Sequence, residues 1–187
     1  GTYKIVFTYG SHKDSTTVRV EDDPRVSSTA ADWAAYTAFQ KSVMAQTQRL
    51  TTAVDQLRLA KEQMARMETL LGASSDTTAT KGLKKSVKAV KDSLEVRRLD
   101  LFGKENQKGY YEQPDTWSSQ SGTMGGYVWS LRGAPSANTL NQFKLYQEQT
   151  ERRVRSINEF IETDWAPLAK QWNEASVTWL KALEPVK

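Results

Sequence analysis

From about Ser28 to Leu71 the chain carries neither glycine nor proline, and Tyr36, Val43, Leu50, Leu57, Met64 and Leu71 recur at every seventh position. Seven residues make just under two α-helical turns. These side chains therefore fall along one narrow stripe, with Ala53, Val54, Ala60 and Met67 beside it. Such a run has few solutions: it is a long helix that must lay its seam against other helices. Ser27, Ser28 and Thr29 offer capping oxygens at its start, and Gly72 with Ser74-Ser75-Asp76-Thr77-Thr78 stops it.

The same spacing rule places a second helix over about 79–102, with Leu83, Val87, Val90, Leu94 and Leu101 on one side and Gly103 at its end. The stretch 110–133 holds Pro114 and glycines at 122, 125, 126 and 133, and is expected to be irregular apart from a short helix near 125–131. After Gly133-Ala134-Pro135, Ser136 caps a last long helix with the seam Leu140, Phe143, Gln147, Thr150, Val154, Ile157, Ile161 and Trp165. Pro167 should kink or interrupt that helix before it resumes through Trp172 and Trp179 to Leu183. The first and last helices each run roughly 65 to 70 Å at about 1.5 Å per residue, and the middle segment has the length to return in two pieces. The expected fold is mainly α: an elongated up-down bundle of three to four helices, its outer pair parallel, with a short β-hairpin in front.

The hairpin lies within residues 1–26. Tyr3, Ile5, Phe7 and Tyr9 alternate with Lys4 and Thr8, Gly10 to Asp14 break the pattern, and Thr16, Val18 and Val20 alternate with Thr17 and Arg19. Asp23-Pro24-Arg25-Val26 then leads into the helical domain, 27–187. Two strands alone are marginal in water. Because the chain opens inside a strand, the expectation is that this hairpin finishes a β-sandwich whose other strands lie upstream.

The composition narrows the chemistry. Cysteine is absent, which excludes a disulfide framework, a thiol nucleophile and cysteine-ligated metals. His12 is the single histidine, placed in the expected turn, where a triad or a His-based metal site has nothing to draw on. The net charge of +4 comes from interspersed signs, too small an excess to imply a nucleic-acid partner. No apolar run is long enough for a membrane span. Glu62, Glu68, Glu151 and Glu159 sit on helix faces beside lysines and arginines and serve as i,i+4 partners, not as carboxylates held across a cleft. Lys81, Lys84, Lys85, Lys88 and Lys91 make the second helix basic, the ordinary outer face of a bundle helix.

Gly-Thr-Tyr-Lys-Ile-Val-Phe, followed by Thr17-Val18-Arg19-Val20, Asp23-Pro24-Arg25-Val26 and a long helix, resembles the C-terminal region of secreted bacterial BNR-type, sortilin-like β-propeller proteins. Gly133-Ala134-Pro135-Ser136 and Asp164-Trp165-Ala166-Pro167-Leu168 with Asn173 resemble the later motifs of that region. The resemblance implies a helical appendage behind a propeller and a last sandwich hairpin, and an exported protein. The Tyr- and Trp-rich middle stretch departs from the family pattern.

The expected function is non-catalytic: a structural or interaction module, monomeric and without cofactor or metal, whose partners are the upstream propeller and sandwich domains of the same protein. The alternative is an accessory carbohydrate-binding module of a glycosidase-like propeller protein. Its candidate ligand-binding residues are Trp117, Tyr127 and Trp129, with Tyr110 and Tyr111, since aromatic rings on a glycine-rich segment stack on sugars or anchor another protein. A third reading, a self-associating coiled coil, is disfavoured by Thr47, Lys61 and Gln147, which dilute the apolar faces.

Overall fold

A computed structural model describes residues 1–21, 23–74, 77–105, 109, 113 and 115–175, with the backbone alone at 77–79. The chain forms a two-stranded antiparallel sheet followed by a helical bundle. Helix α1 spans Ala30–Ala73 and starts on a capping box: the Thr29 hydroxyl accepts from the Asp32 amide at 3.2 Å, and the Asp32 carboxylate accepts from the Thr29 amide at 2.8 Å. Val43, Leu50, Leu57, Met64 and Leu71 are all buried, so the seven-residue stripe is the core face of α1, joined by Phe39, Ala60 and Met67.

Helix α2, Thr77–Phe102, runs back antiparallel to α1, as the Lys91–Glu68 ion pair at 2.8 Å between them marks. It ends where Gly103 takes φ +74°, a conformation that side chains disfavour. The Gln113 side chain fills the place a Cβ would take there and accepts from the Lys104 amide at 2.8 Å. Helix α3, Trp117–Ser130, continues the return journey towards the start of α1, where Ser28 donates to the Arg132 carbonyl. The last helix then climbs parallel to α1 as α4, Ala137–Glu159, a π-helical turn, Phe160–Trp165, and α5, Ala166–Glu174. Contacts in matching order fix that direction: Phe39 with Phe143, Thr47 with Tyr146, Arg49 with Glu151.

The result is the up, broken-down, up bundle that the helix lengths predict, with three local corrections. Helix α3 starts eight residues earlier than the glycines suggest. Thr116 caps it through the Ser119 amide, Gly122, Gly125 and Gly126 meet nothing within 4 Å where a Cβ would stand, and Trp117, Met124 and Tyr127 face inward. Glycines on an exposed face weaken a helix without breaking it. Leu140 is exposed, the inward positions of α4 being Thr139, Tyr146, Thr150, Arg153, Val154 and Ile157. At Pro167 the chain does not simply kink: the preceding turn widens to π geometry, which accommodates a residue with no N–H to donate. The expected continuation to Leu183, with Trp179, lies outside the described residues.

Strands β1, Thr2–Tyr9, and β2, His12–Arg19, pair from Thr2 with Arg19 to Tyr9 with His12 around the two-residue turn Gly10-Ser11, Gly10 having φ +57°. The turn is shorter than the sequence pattern suggests, and His12 is a strand residue opposite Tyr9. A two-residue turn with positive φ at its first position matches the right-handed twist of its strands.

Candidate functional site

The register puts Tyr3, Ile5, Phe7 and Tyr9 on one face of the hairpin with their partners Val18, Thr16, Asp14 and His12, because directly opposed residues share a face. Every described residue from 1 to 25 is exposed, and among the described residues the strands pack extensively on each other but on no helix. Tyr3 and Phe7 are each 60% exposed and Tyr9 87%. Tyr3, Ile5, Phe7, Tyr9 and Val18 make most of this face apolar, with Asp14 and His12 towards its turn, and no helix among the described residues packs extensively over it.

The aromatic residues of α3 behave differently. Trp117 packs against both parts of the bundle core and stands edge-on to Phe102 with ring centroids 5.9 Å apart. Tyr127 is half-buried beside Met124, Phe39, Val43 and Tyr146. Trp129, two residues further on and therefore on the opposite side of the helix, is 83% exposed. The three rings do not share a surface, and Tyr110 and Tyr111 lie outside the described residues. Trp165 and Trp172 pack against the core, as their seven-residue spacing suggests.

What seats α3 is Arg153, 1% exposed in the middle of the bundle. Its guanidinium donates to Asp100 at 3.2 Å, to Gln120 Oε1 at 2.7 Å and to the Asp115 carbonyl, tying α4 to α2, to α3 and to the turn before α3. Burial pulls this guanidinium below the usual arginine range while Asp100 pushes it back up. A charge so placed is tolerated only with its hydrogen bonds satisfied. Sequence reading missed it, although an arginine at a buried step of the series Thr150, Arg153, Ile157 was a usable signal. One layer further along, Arg97 donates to the Ser93 hydroxyl at 2.6 Å and to the Ser156 carbonyl at 3.1 Å, and covers the Phe160 ring; Ser93 in turn donates to Asp164 in the π turn. These groups brace the widened turn.

Gln120, held by Arg153, also lines a groove of about 300 Å³ between α3 and α4. Gln120, Gln142, Gln149 and Thr123 supply its polar lining, with Tyr127 and Tyr146 as its rings. None of its lining residues is an acid, a lysine, an arginine or a histidine. Three other grooves carry charged walls: Glu62 and Arg66 in one, Arg58, Lys61, Arg98 and Glu105 in the second, Arg49, Lys144 and Arg155 among others in the third.

Glu68 and Glu151 are engaged by Lys91 and Arg49, and that hydrogen bond to Arg49 holds the Glu151 carboxyl below its ordinary range. Among the described residues no three His, Cys, Asp or Glu side chains gather to hold a metal ion, and no helix is long and apolar enough to cross a membrane. Compared with known protein families, with curated proteins and with solved structures, the chain matches none.

Proposed function

We propose that this chain is a non-catalytic structural and interaction module, in which the bundle is a stiff arm and the hairpin its contact element. The observation that carries the reading is the exposed ladder of Tyr3, Ile5, Phe7, Tyr9 and Val18 on a ribbon that, among the described residues, packs extensively on no helix. Folding two strands alone recovers little, so an apolar face of this kind gains most by joining other β-structure. The free edges of both strands also offer unpaired backbone groups for addition to a sheet. Together with the resemblance of the hairpin and the Asp-Pro-Arg-Val step, this supports a place in a larger exported protein, against its β-sandwich and β-propeller domains.

Hydrogen exchange tests it, read on the isolated chain and on the longer exported protein that contains it. In isolation, hairpin amides such as Val6 and Thr17 exchange far faster than those of Leu57 and Ile157; in the longer protein they become protected. Hairpin exchange that is equally fast in both sinks the docking role. Saturable turnover of a substrate by the isolated chain, lost on a point substitution, sinks the non-catalytic one.

A further inference from the structure

We propose that the groove between α3 and α4 is a binding site for a neutral saccharide. The argument is independent of the hairpin and starts from charge. In a chain with 26% charged residues, a groove whose lining has no acid and no cation selects against ionic ligands, because a charged group entering it loses hydration without gaining a partner. At about 300 Å³ it stands at the lower end of the roughly 300–1,000 Å³ typical of small-molecule sites.

The polar groups are held in a defined sense. Gln120 Oε1 accepts from Arg153 at 2.7 Å and Gln149 Oε1 accepts from Arg152 at 3.0 Å. With one hydrogen bond already accepted by each carbonyl oxygen, each amide has its Nε2 group left to donate, and an arginine bonded to the carbonyl polarises that donor further. Thr123 donates its hydroxyl proton to the Ser119 carbonyl at 3.1 Å, which leaves the hydroxyl oxygen to accept. Gln142 makes no hydrogen bond to another described residue and offers both donor and acceptor. Tyr146 spends its hydroxyl on Thr47 at 3.0 Å, so what it presents is ring, beside the ring of Tyr127 and the apolar Met124 and Leu145.

Fixed amide donors around a small aromatic and apolar floor match a pyranose, which carries hydroxyl oxygens at its rim and C–H groups on its faces. An extended peptide is the poorer match, since both walls are helices and there is no sheet edge for its backbone to join. The tyrosine was visible in the sequence; the glutamines and the arginines that orient two of them were not.

The test is a titration of the full chain with neutral oligosaccharides of glucose and of N-acetylglucosamine, followed by amide chemical shifts and calorimetry. One of these series should saturate the protein, with shifts confined to α3 and α4. Gln142→Ala, which removes a half-buried side chain from the groove wall, should weaken binding about tenfold, the loss of roughly one hydrogen bond, with an unchanged melt. Tyr127→Ala should abolish it, and its melt is recorded because Tyr127 also packs on the core. The proposal is overturned if neither series binds at millimolar concentration, if Gln142→Ala binds as well as the unmodified chain, or if a sulfated saccharide or a peptide occupies the groove more tightly.

Discussion

The hairpin and helix α3 are both short, both rich in aromatic residues, and opposite in what they do with them. On the hairpin, strict alternation gathers Tyr3, Ile5, Phe7 and Tyr9 onto one face, and the fold leaves that face in solvent. On α3, glycines and serines obscure the pattern, yet Trp117, Met124 and Tyr127 meet the core, and only Trp129 stays outside. Periodicity therefore says which side chains share a face. Whether anything covers that face depends on length and on partners. Helix α3 lies between two long helices and is held by a buried arginine, whereas among the described residues the two strands pack extensively only on each other.

The sharpest way to test that difference is to delete one aromatic ring from the bundle. Phe160 is fully buried where α4 passes into the π turn, with the Arg97 guanidinium 5.4 Å from its ring centroid. Phe160→Ala should lower the unfolding free energy by about 3–5 kcal/mol, the range for emptying a core phenylalanine site, measured by urea denaturation. A loss under about 1 kcal/mol would mean that the braced turn collapses around the gap and is not the rigid layer described above.

How far the sequence carried these conclusions can be argued from the same residues. The α1 seam was legible because forty-odd residues without glycine or proline repeat one spacing five times, and no local exception can hide in so long a series. The broken return was legible from length alone. The first half of helix α3 was not, because its three glycines argue against a helix by propensity while its helical spacing is spread over only four turns, and tertiary packing outweighs a few tenths to one kcal/mol per glycine. The candidate site was the least legible part. Gln120, Gln142 and Gln149 come from two helices, and glutamine is an ordinary residue on any solvated face; only the spatial convergence, with Arg152 and Arg153 behind two of them, distinguishes these three. Tyr127 alone was singled out beforehand, for a surface it does not form with Trp117 and Trp129.

A smaller effect is expected at the start of α1, where hairpin and bundle meet. Thr29→Ala removes the capping hydroxyl and should cost about 1 kcal/mol. The cap also has a pH signature. The Thr29 amide and hydroxyl both donate to Asp32 and hold its carboxyl below the ordinary 3.8 in the folded chain. A folded pKa below the unfolded one means that the unfolded state binds the proton first, so the stability from this contact is complete above pH 3.8 and drains away as pH falls through the folded value. Denaturation curves taken at descending pH should therefore converge: the gap between Thr29→Ala and the unmodified chain narrows in acid. A gap that stays constant would assign the cap to the hydroxyl alone.

The smallest effect belongs to the hairpin, and it is the one that most directly breaks or keeps the comparison. Replacing Tyr3 and Phe7 together by serine removes two rings that are each 60% exposed and that touch no helix extensively. The bundle should not register the change: helical melting of the double variant is expected to stay within about 0.5 kcal/mol of the unmodified chain, the usual range for surface substitutions. The hairpin itself should loosen, since cross-strand pairs such as Tyr3 with Val18 are what a two-stranded ribbon has to stabilise it, at about 0.2–1 kcal/mol each. A bundle that melted several degrees lower would mean that the hairpin folds back onto the helices in solution and covers its own apolar face. The surface that the interaction reading depends on would then already have its partner.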